Sequence, residues 1–314
     1  MKVAHYNPNK LHTLFCEHLQ HDEFINNECT SDCDIIYCAS VSKLNEAFQA
    51  KLKYRKPLIC WVWDIPYNWR DWIGDLYQGK EVYQNRDGYV NQIISLLKLC
   101  DKVICGSQWT QDTLKRYHIE SECTDWYIDI DPLDEHLNPY TEKTPNKIIQ
   151  VSRFVPHKRF EIGIEAAGVD LPIDCIGFAD ESSEYYSTIY KHYNKQENVT
   201  FYPNISEQER IELMQKASVF VSASVFEGWG LTPAEATYLG IPIILPDIPV
   251  FRGFYGDGPV YFEPDSIFSL RDKIYEVLHD ETLQESIVGR CNDRIIDCTP
   301  EKFSKRWLNI VEKL

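Results

Sequence analysis

The sequence predicts an α/β protein made of two halves, each a parallel sheet with helices on both faces. Three observations predict it. Short apolar runs alternate with longer polar–apolar helical patterns along the whole chain, the pattern that builds parallel sheets. A polar stretch with three prolines and no periodicity, 129–146 (DIDPLDEHLNPYTEKTPN), interrupts that alternation and reads as an interdomain linker. The segment 217–245 (ASVFVSASVFEGWGLTPAEATYLGIPIIL) spells out a strand, a glycine-rich turn, a helix and a second strand in one pass.

Taken in order, the first half offers strands at 2–5, 35–39, 58–63 and 102–105, each a short apolar run. Longer periodic stretches at 42–54, 91–99 and 108–117 read as the helices between them. The second half repeats the scheme, with strands at 147–152, 173–177, 200–202, 219–222 and 243–246. Its helices fall at 161–167, 207–217 and 266–278, and a last helix at 301–314 closes the chain. In the 217–245 segment the apolar run 218–226 stops at Glu227-Gly228-Trp229-Gly230-Leu231-Thr232-Pro233. The helix of 234–239 follows, opened by a proline near its first turn and stopped by Gly240.

With 314 residues the chain has room for about two domains and needs no disulfide or metal to hold a core. The net charge of −16 is spread over both halves, so no broad basic field exists for nucleic acid or an anionic membrane. No apolar stretch approaches the roughly 18 residues of a transmembrane helix. The amino terminus MKVAHYNPNKLHTLF lacks the apolar core of a secretory signal. Eleven scattered cysteines, an odd number, read as free thiols in a reducing cytoplasm.

The chemistry concentrates in the second half. The turn at 227–233 presents backbone N–H groups and a positive helix end at the carboxyl edge of a parallel sheet, where anionic ligands bind. Glu227 and Glu235 flank it with seven residues between them. A phosphate repels a carboxylate, so the useful partner of each is a row of hydroxyls. Phosphate with hydroxyls means a nucleotide, a sugar, or both. A second signal, Val151-Ser152-Arg153-Phe154-Val155-Pro156-His157-Lys158-Arg159, follows directly on the strand IIQV. It delivers an Arg fork and a Lys point charge suited to a pyrophosphate. Each signal alone also fits a solvated loop; their shared half favours a ligand site.

These residues resemble the donor-binding domain of GT-B glycosyltransferases, of the retaining family-4 type (glycosyl transferases group 1). The resemblance covers 147 to about 264. It rests on Arg153 and Lys158 after a strand, on Asn204-Ile205-Ser206-Glu207 entering a helix, on Glu227 and Glu235 around the Gly228-Trp229-Gly230-Leu231 turn, and on Gly240-Ile241-Pro242. It implies a GT-B fold, two Rossmann-like domains facing across a cleft. The expected divisions are 1–143 for a short acceptor domain and 144–298 for the donor domain, with 299–314 a helix crossing back to the first. It implies that Arg153 and Lys158 neutralise the donor diphosphate and that Glu227 binds hydroxyls of the transferred sugar. The N–H groups of Trp229 to Thr232 would hold phosphate and sugar, Glu235 the ribose hydroxyls, and Ile205 with its backbone neighbours the nucleobase. The implied reaction moves a hexose from a GDP- or UDP-sugar to a glycan or other hydroxyl acceptor, with retention, no cofactor and no metal. A sugar-nucleotide epimerase or hydrolase on the same fold, or a non-catalytic sugar-nucleotide or glycan-binding protein, are the alternatives.

The first half departs from the family. PLICWVWDIP ends in Trp63-Asp64 where the family often carries a His, and the first strand runs into Tyr6-Asn7-Pro8-Asn9-Lys10 rather than a glycine-rich loop. Asp64 is the acceptor-side candidate, against the plainer reading of a loop acid or helix cap. Trp61, Trp63, Tyr67, Trp69 and Trp72 could line an acceptor groove or pack as core. Two Asp-x-Asp triplets, Asp32-Cys33-Asp34 and Asp129-Ile130-Asp131, could hold a divalent cation, but in so acidic a chain such triplets arise by chance. Cys16, His18, His21, Cys29 and Cys33 lack the paired spacing of a zinc site.

Overall fold

The computed structural model describes residues 1–6, 23–63, 86–180 and 183–314. The chain divides into two compact units, Met1–Asp129 with Asp297–Leu314, and Ile130–Ile296. In the first unit the described elements run β1 (Lys2–Tyr6), β2 (Glu23–Asn26), β3 (Ile35–Cys38), α1 (Leu44–Tyr54), β4 (Leu58–Val62), α2 (Arg86–Leu97), β5 (Lys102–Cys105), α3 (Gln108–Arg116) and β6 (Glu122–Cys123). In the second they run α4 (Asp131–His136), β7 (Ile148–Val151), α5 (Phe160–Ala167), β8 (Ile173–Gly177), α6 (Glu184–Tyr193), β9 (Val199–Pro203), α7 (Glu207–Gln215), β10 (Val219–Val221), α8 (Leu231–Tyr238), β11 (Ile243–Pro246), α9 (Pro249–Tyr255), β12 (Val260–Phe262), α10 (Ile267–Leu278) and α11 (Glu281–Ile295). The last helix, α12 (Pro300–Val311), belongs to the first unit.

Among the described residues every strand pairing in both sheets is parallel. The first has the order β2-β1-β3-β4-β5-β6. Its central strands are buried on both faces, as parallel strands between helices must be. Trp61 is fully buried against Trp126 (4.5 Å between ring centres) and Phe303 of α12 (5.6 Å), and Trp63 packs on Trp126 at 4.6 Å. Trp61 therefore belongs to the core, and Trp63 is half-buried beside it. Tyr67, Trp69 and Trp72 lie outside the described residues. α12 starts at a Thr299 cap with Pro300 in its first turn and buries Trp307 against Tyr37 at 5.6 Å.

The second sheet has the order β12-β11-β10-β7-β8-β9. Counted within the unit this is the 3-2-1-4-5-6 order of dinucleotide-binding folds. The chain leaves β7 towards β8 on one side and returns to β10 on the other, so a crevice opens between the carboxyl ends of β7 and β10. Close approach fixes one glycine here: a Cβ on Gly177 would lie 1.6 Å from the carbonyl oxygen of Ser152, just after the neighbouring strand β7.

The stretch 129–146 is more ordered than its composition suggests. It holds α4 with Leu133 buried, and Gln215 clamps the end of that helix by donating to the His136 carbonyl (2.8 Å) and accepting from the Asn138 amide (2.7 Å). A six-residue helix is too short to display a period. No described helix is long and apolar enough to cross a membrane.

Candidate functional site

The two loops leaving the switch point carry the residues singled out in the sequence. After β7 the chain enters a single 3₁₀ turn at Pro156–Lys158, then Arg159 takes a left-handed backbone (φ 50°) before α5. That conformation is uncommon for a side chain other than Gly, Asn or Asp. It is held by ion pairs from Arg159 to Asp265 (2.9 Å) and Glu161 (3.4 Å). After β10 the chain runs through Ser222–Val225, all buried, and is tied back to the 3₁₀ turn. The Val225 amide donates to the His157 carbonyl at 3.0 Å, and the Ser224 hydroxyl donates to the Phe226 carbonyl at 2.8 Å. The Gln150 amide donates to the Lys158 carbonyl at 3.1 Å from inside the sheet.

This backbone lacing brings Lys158 and Glu227, 69 residues apart, into an ion pair of 2.5 Å. Their side chains are only 10% and 14% exposed, so water screens the pair weakly. Arg153 is exposed, and its side chain has no ion-pair partner among the described residues. Among the described residues it is thus a cation of this loop not committed to a carboxylate.

Helix α8 supplies the N–H groups. It is entered by Gly230 at φ 104° with no side-chain cap on its first turn. Two constraints demand glycine: the left-handed φ, and Phe251, whose ring would come within 2.7 Å of a Cβ. The first-turn amides of Leu231 and Thr232 have no partner within the helix, and the helix dipole adds positive potential at the same spot. Gly228 is half-buried and Trp229 is buried, its ring tilted at 56° to that of Phe254 with 4.8 Å between ring centres.

One turn further along α8, Glu235 receives the Arg210 guanidinium, Nη1 to Oε2 at 2.5 Å, with side-chain exposures of 17% and 18%. Arg210 comes from α7. That helix begins with a capping box in which the Ser206 hydroxyl accepts from the Glu209 amide and the Glu209 carboxylate accepts from the Ser206 amide. Immediately before it, Asn204 (φ 55°) bridges back to the loop after β8. Its amide oxygen accepts from Ala179 N and its amide nitrogen donates to Ala179 O, both at 2.9 Å. Ile205 therefore sits in a braced turn at the carboxyl edge of β9.

The second unit thus carries Arg153, Lys158, Ile205, Glu227 and Gly228 to Gly230 on the loops that follow β7, β9 and β10, and Leu231, Thr232 and Glu235 on the helix α8 that the last of these loops enters. Arg210 escaped the sequence reading, since a basic residue inside a polar helix gives no signal until α7 and α8 are packed. Asp64, Cys16, His18 and His21 lie outside the described residues. Asp32 pairs with Lys2 (2.7 Å) and Asp34 accepts from the Lys2 amide (2.6 Å), so both are engaged at the amino end of β1. Among the described residues no group of three or more His, Cys, Asp or Glu could hold a metal ion.

Comparison with known proteins adds independent findings. The profile of the family described as glycosyl transferases group 1 matches residues 134–290. The O-antigen chain mannosyltransferase RfbU of Salmonella typhimurium is 28% identical over 189 residues, 58% of this chain and 52% of that protein. The O-antigen biosynthesis glycosyltransferase WclY of Escherichia coli is 30% identical over 119 residues, 38% of this chain and 32% of that protein. The matched region thus spans about half or less of these relatives' lengths. Among solved structures, sucrose-phosphate synthase from Thermosynechococcus elongatus superposes with a TM-score of 0.77 at 14% identity, covering 100% of this chain and 98% of the other. HepE of Anabaena, in complex with UDP and glucose, gives 0.78 at 13% identity and covers both chains completely. At such identity these two likenesses speak for the fold alone.

Proposed function

This chain belongs to the glycosyl transferases group 1 family, and from that membership and its GT-B-like pair of parallel α/β units we propose that it is a retaining, metal-independent glycosyltransferase. It moves a hexose from a GDP- or UDP-sugar to a hydroxyl of a glycan or other acceptor. The observation that carries the reading is the Lys158–Glu227 pair beside the uncapped start of α8 at the sheet's switch point.

In this reading the donor diphosphate lies against the amides of the 229–232 turn. Arg153 and Lys158 meet its charge. When the bond from the anomeric carbon to the phosphate oxygen breaks, negative charge gathers on the leaving diphosphate, and the same two cations with the helix N-terminus stabilise it. That is the work a divalent cation does in other transferases. Glu227, held by Lys158, accepts hydrogen bonds from hydroxyls of the sugar. Glu235 accepts from the ribose, and the Ile205 turn meets the base.

The test is a melting and turnover screen with UDP, GDP and ADP and their glucose, mannose, galactose and N-acetylglucosamine forms, each in EDTA and in Mn²⁺. Stabilisation by one nucleotide sugar in EDTA, with slow release of an α-configured sugar from an α-configured donor, supports the proposal. Dependence on Mn²⁺, or release of the inverted anomer, defeats it. Interconversion of one nucleotide sugar into another would point instead to an epimerase.

A further inference from the structure

We propose that Arg210 is a positioning residue for the ribose anchor: it fixes the Glu235 carboxylate and so gives the site its preference for ribonucleotides. The inference rests on the donor-site reading above and adds to it a residue that reading does not use.

The ion pair between Arg210 and Glu235 joins two helices 25 residues apart in sequence at 2.5 Å. Both side chains are more than four-fifths covered, so this is not a solvated surface pair of negligible consequence. Arg210 is itself held in place. Its Nη2 lies 3.8 Å from Glu207 and its Nη1 3.5 Å from the Met214 sulfur, and its amide donates to the Ser206 carbonyl at 3.0 Å inside the capping box. The guanidinium thus arrives from a rigid helix start and meets one oxygen of the Glu235 carboxylate through Nη1.

A carboxylate asked to bind sugar hydroxyls close to a diphosphate faces two difficulties. It is repelled by the phosphate charge, and a Glu side chain has three torsions to fix before it can accept two hydroxyl hydrogens in one geometry. A guanidinium at 2.5 Å offsets the first and removes the freedom behind the second. Lys158 stands to Glu227 at the same distance. Each of the two flanking carboxylates therefore has its own cation. Arg210 also lies five residues after Ile205, on the helix that the Ile205 turn opens, so one element presents both the base-side turn and the group that orients the ribose anchor.

The experiment compares the wild type with Arg210→Ala, Arg210→Lys and Glu235→Gln. Each is titrated by calorimetry with UDP, GDP and their 2′-deoxy and 3′-deoxy counterparts, and nucleotide-sugar turnover is measured in parallel. The wild type is expected to prefer one ribonucleotide over its deoxy form by about tenfold or more, as sites that hydrogen-bond a hydroxyl do. Arg210→Ala is expected to bring that ratio to within about threefold of unity and to raise KM about tenfold with kcat little changed, the mark of lost ground-state binding. Arg210→Lys should recover part of the ratio, because it keeps the charge without the fork. An unchanged ribose preference in Arg210→Ala, whatever its melting temperature, overturns the inference. So does an unchanged preference in Arg210→Lys if the alanine variant does not fold. A wild type that binds none of the nucleotides refutes the donor-site reading itself. A ribose preference that survives Glu235→Gln refutes the role given to Glu235, and these two failures are thereby distinguished from failure of Arg210 alone.

Discussion

Lys158 and Glu227 are covered well enough that neither charge can lose its partner cheaply. Truncating one side of such a pair strands the other in a weakly screened setting, at a cost on the order of 3 kcal/mol. Lys158→Ala should therefore lower both the melting temperature and turnover, the latter by roughly 10²- to 10³-fold. The double variant Lys158→Ala/Glu227→Gln separates the two effects. It is expected to regain much of the lost stability and none of the turnover, read by urea denaturation alongside donor consumption. If stability and turnover return together, Lys158 serves only to neutralise Glu227. Arg153 makes the opposite case. Exposed and without an ion-pair partner among the described residues, it should be removable with less than about 0.5 kcal/mol change in stability, yet with a clear loss of nucleoside-diphosphate affinity by calorimetry. An Arg153→Ala variant that binds as the wild type does would exclude it from the donor site. These residues were legible because each stands at a fixed, short offset from an apolar strand, so the strand announces where they lie. Arg210 was not, because its partner lies on another helix and nothing local marks the pairing.

At the scale of elements the same contrast holds. β7, β10 and β11 are fully buried and appear in the sequence as short, mostly apolar runs rich in Ile and Val. The edge strands β2, β6 and β12 are not among the strands that the sequence predicts; β2 (EFIN) and β6 (EC) begin with a Glu and hold no continuous apolar run to mark them. The sequence reading also passed over α11, the fifteen-residue helix, whose buried residues are only Ile287, Cys291 and Ile295, a single narrow stripe in a polar surround. The helix starts that matter for function rest on local chemistry that can be tested. Ser206 caps α7, and Ser206→Ala should cost about 1 kcal/mol by denaturant unfolding. Because Arg210 lies one turn beyond that cap, the same variant should also weaken binding of whichever nucleoside diphosphate the wild type prefers. Gly230 at the start of α8 is held to glycine twice over, by φ 104° and by Phe251. Gly230→Ala is expected to destabilise by more than about 1 kcal/mol, and pairing it with Phe251→Leu should not restore nucleotide binding, because the backbone strain persists.

At the scale of the molecule, each unit carries its own core, and each can be addressed separately. The first depends on pH through His5. This side chain is fully buried on β1, stacked on Tyr37 at 5.2 Å, and burial pushes its pKa down to about 4. The folded protein thus keeps His5 neutral over a range where the unfolded chain, with an ordinary pKa near 6.5, takes up a proton. The part of the stability that comes from His5 should be complete above about pH 6.5, be lost as the pH drops from there towards 4, and amount to up to about 3 kcal/mol. His5→Phe should flatten that slope. The same unit depends on a segment that follows the second unit in sequence. The Ile128 amide donates to the Cys298 carbonyl at 2.9 Å, the Arg306 guanidinium donates to Thr124 Oγ1 at 3.0 Å, and Trp307 is fully buried on Tyr37. Trp307→Ala is accordingly expected to cost the first unit about 3–5 kcal/mol. Amide exchange should then accelerate in β3 and β4 while β7 and β10 keep their wild-type protection, and nucleotide binding should survive. Equal acceleration in both sheets would mean that the two units unfold as one cooperative block, and that the carboxy-terminal helix stabilises both.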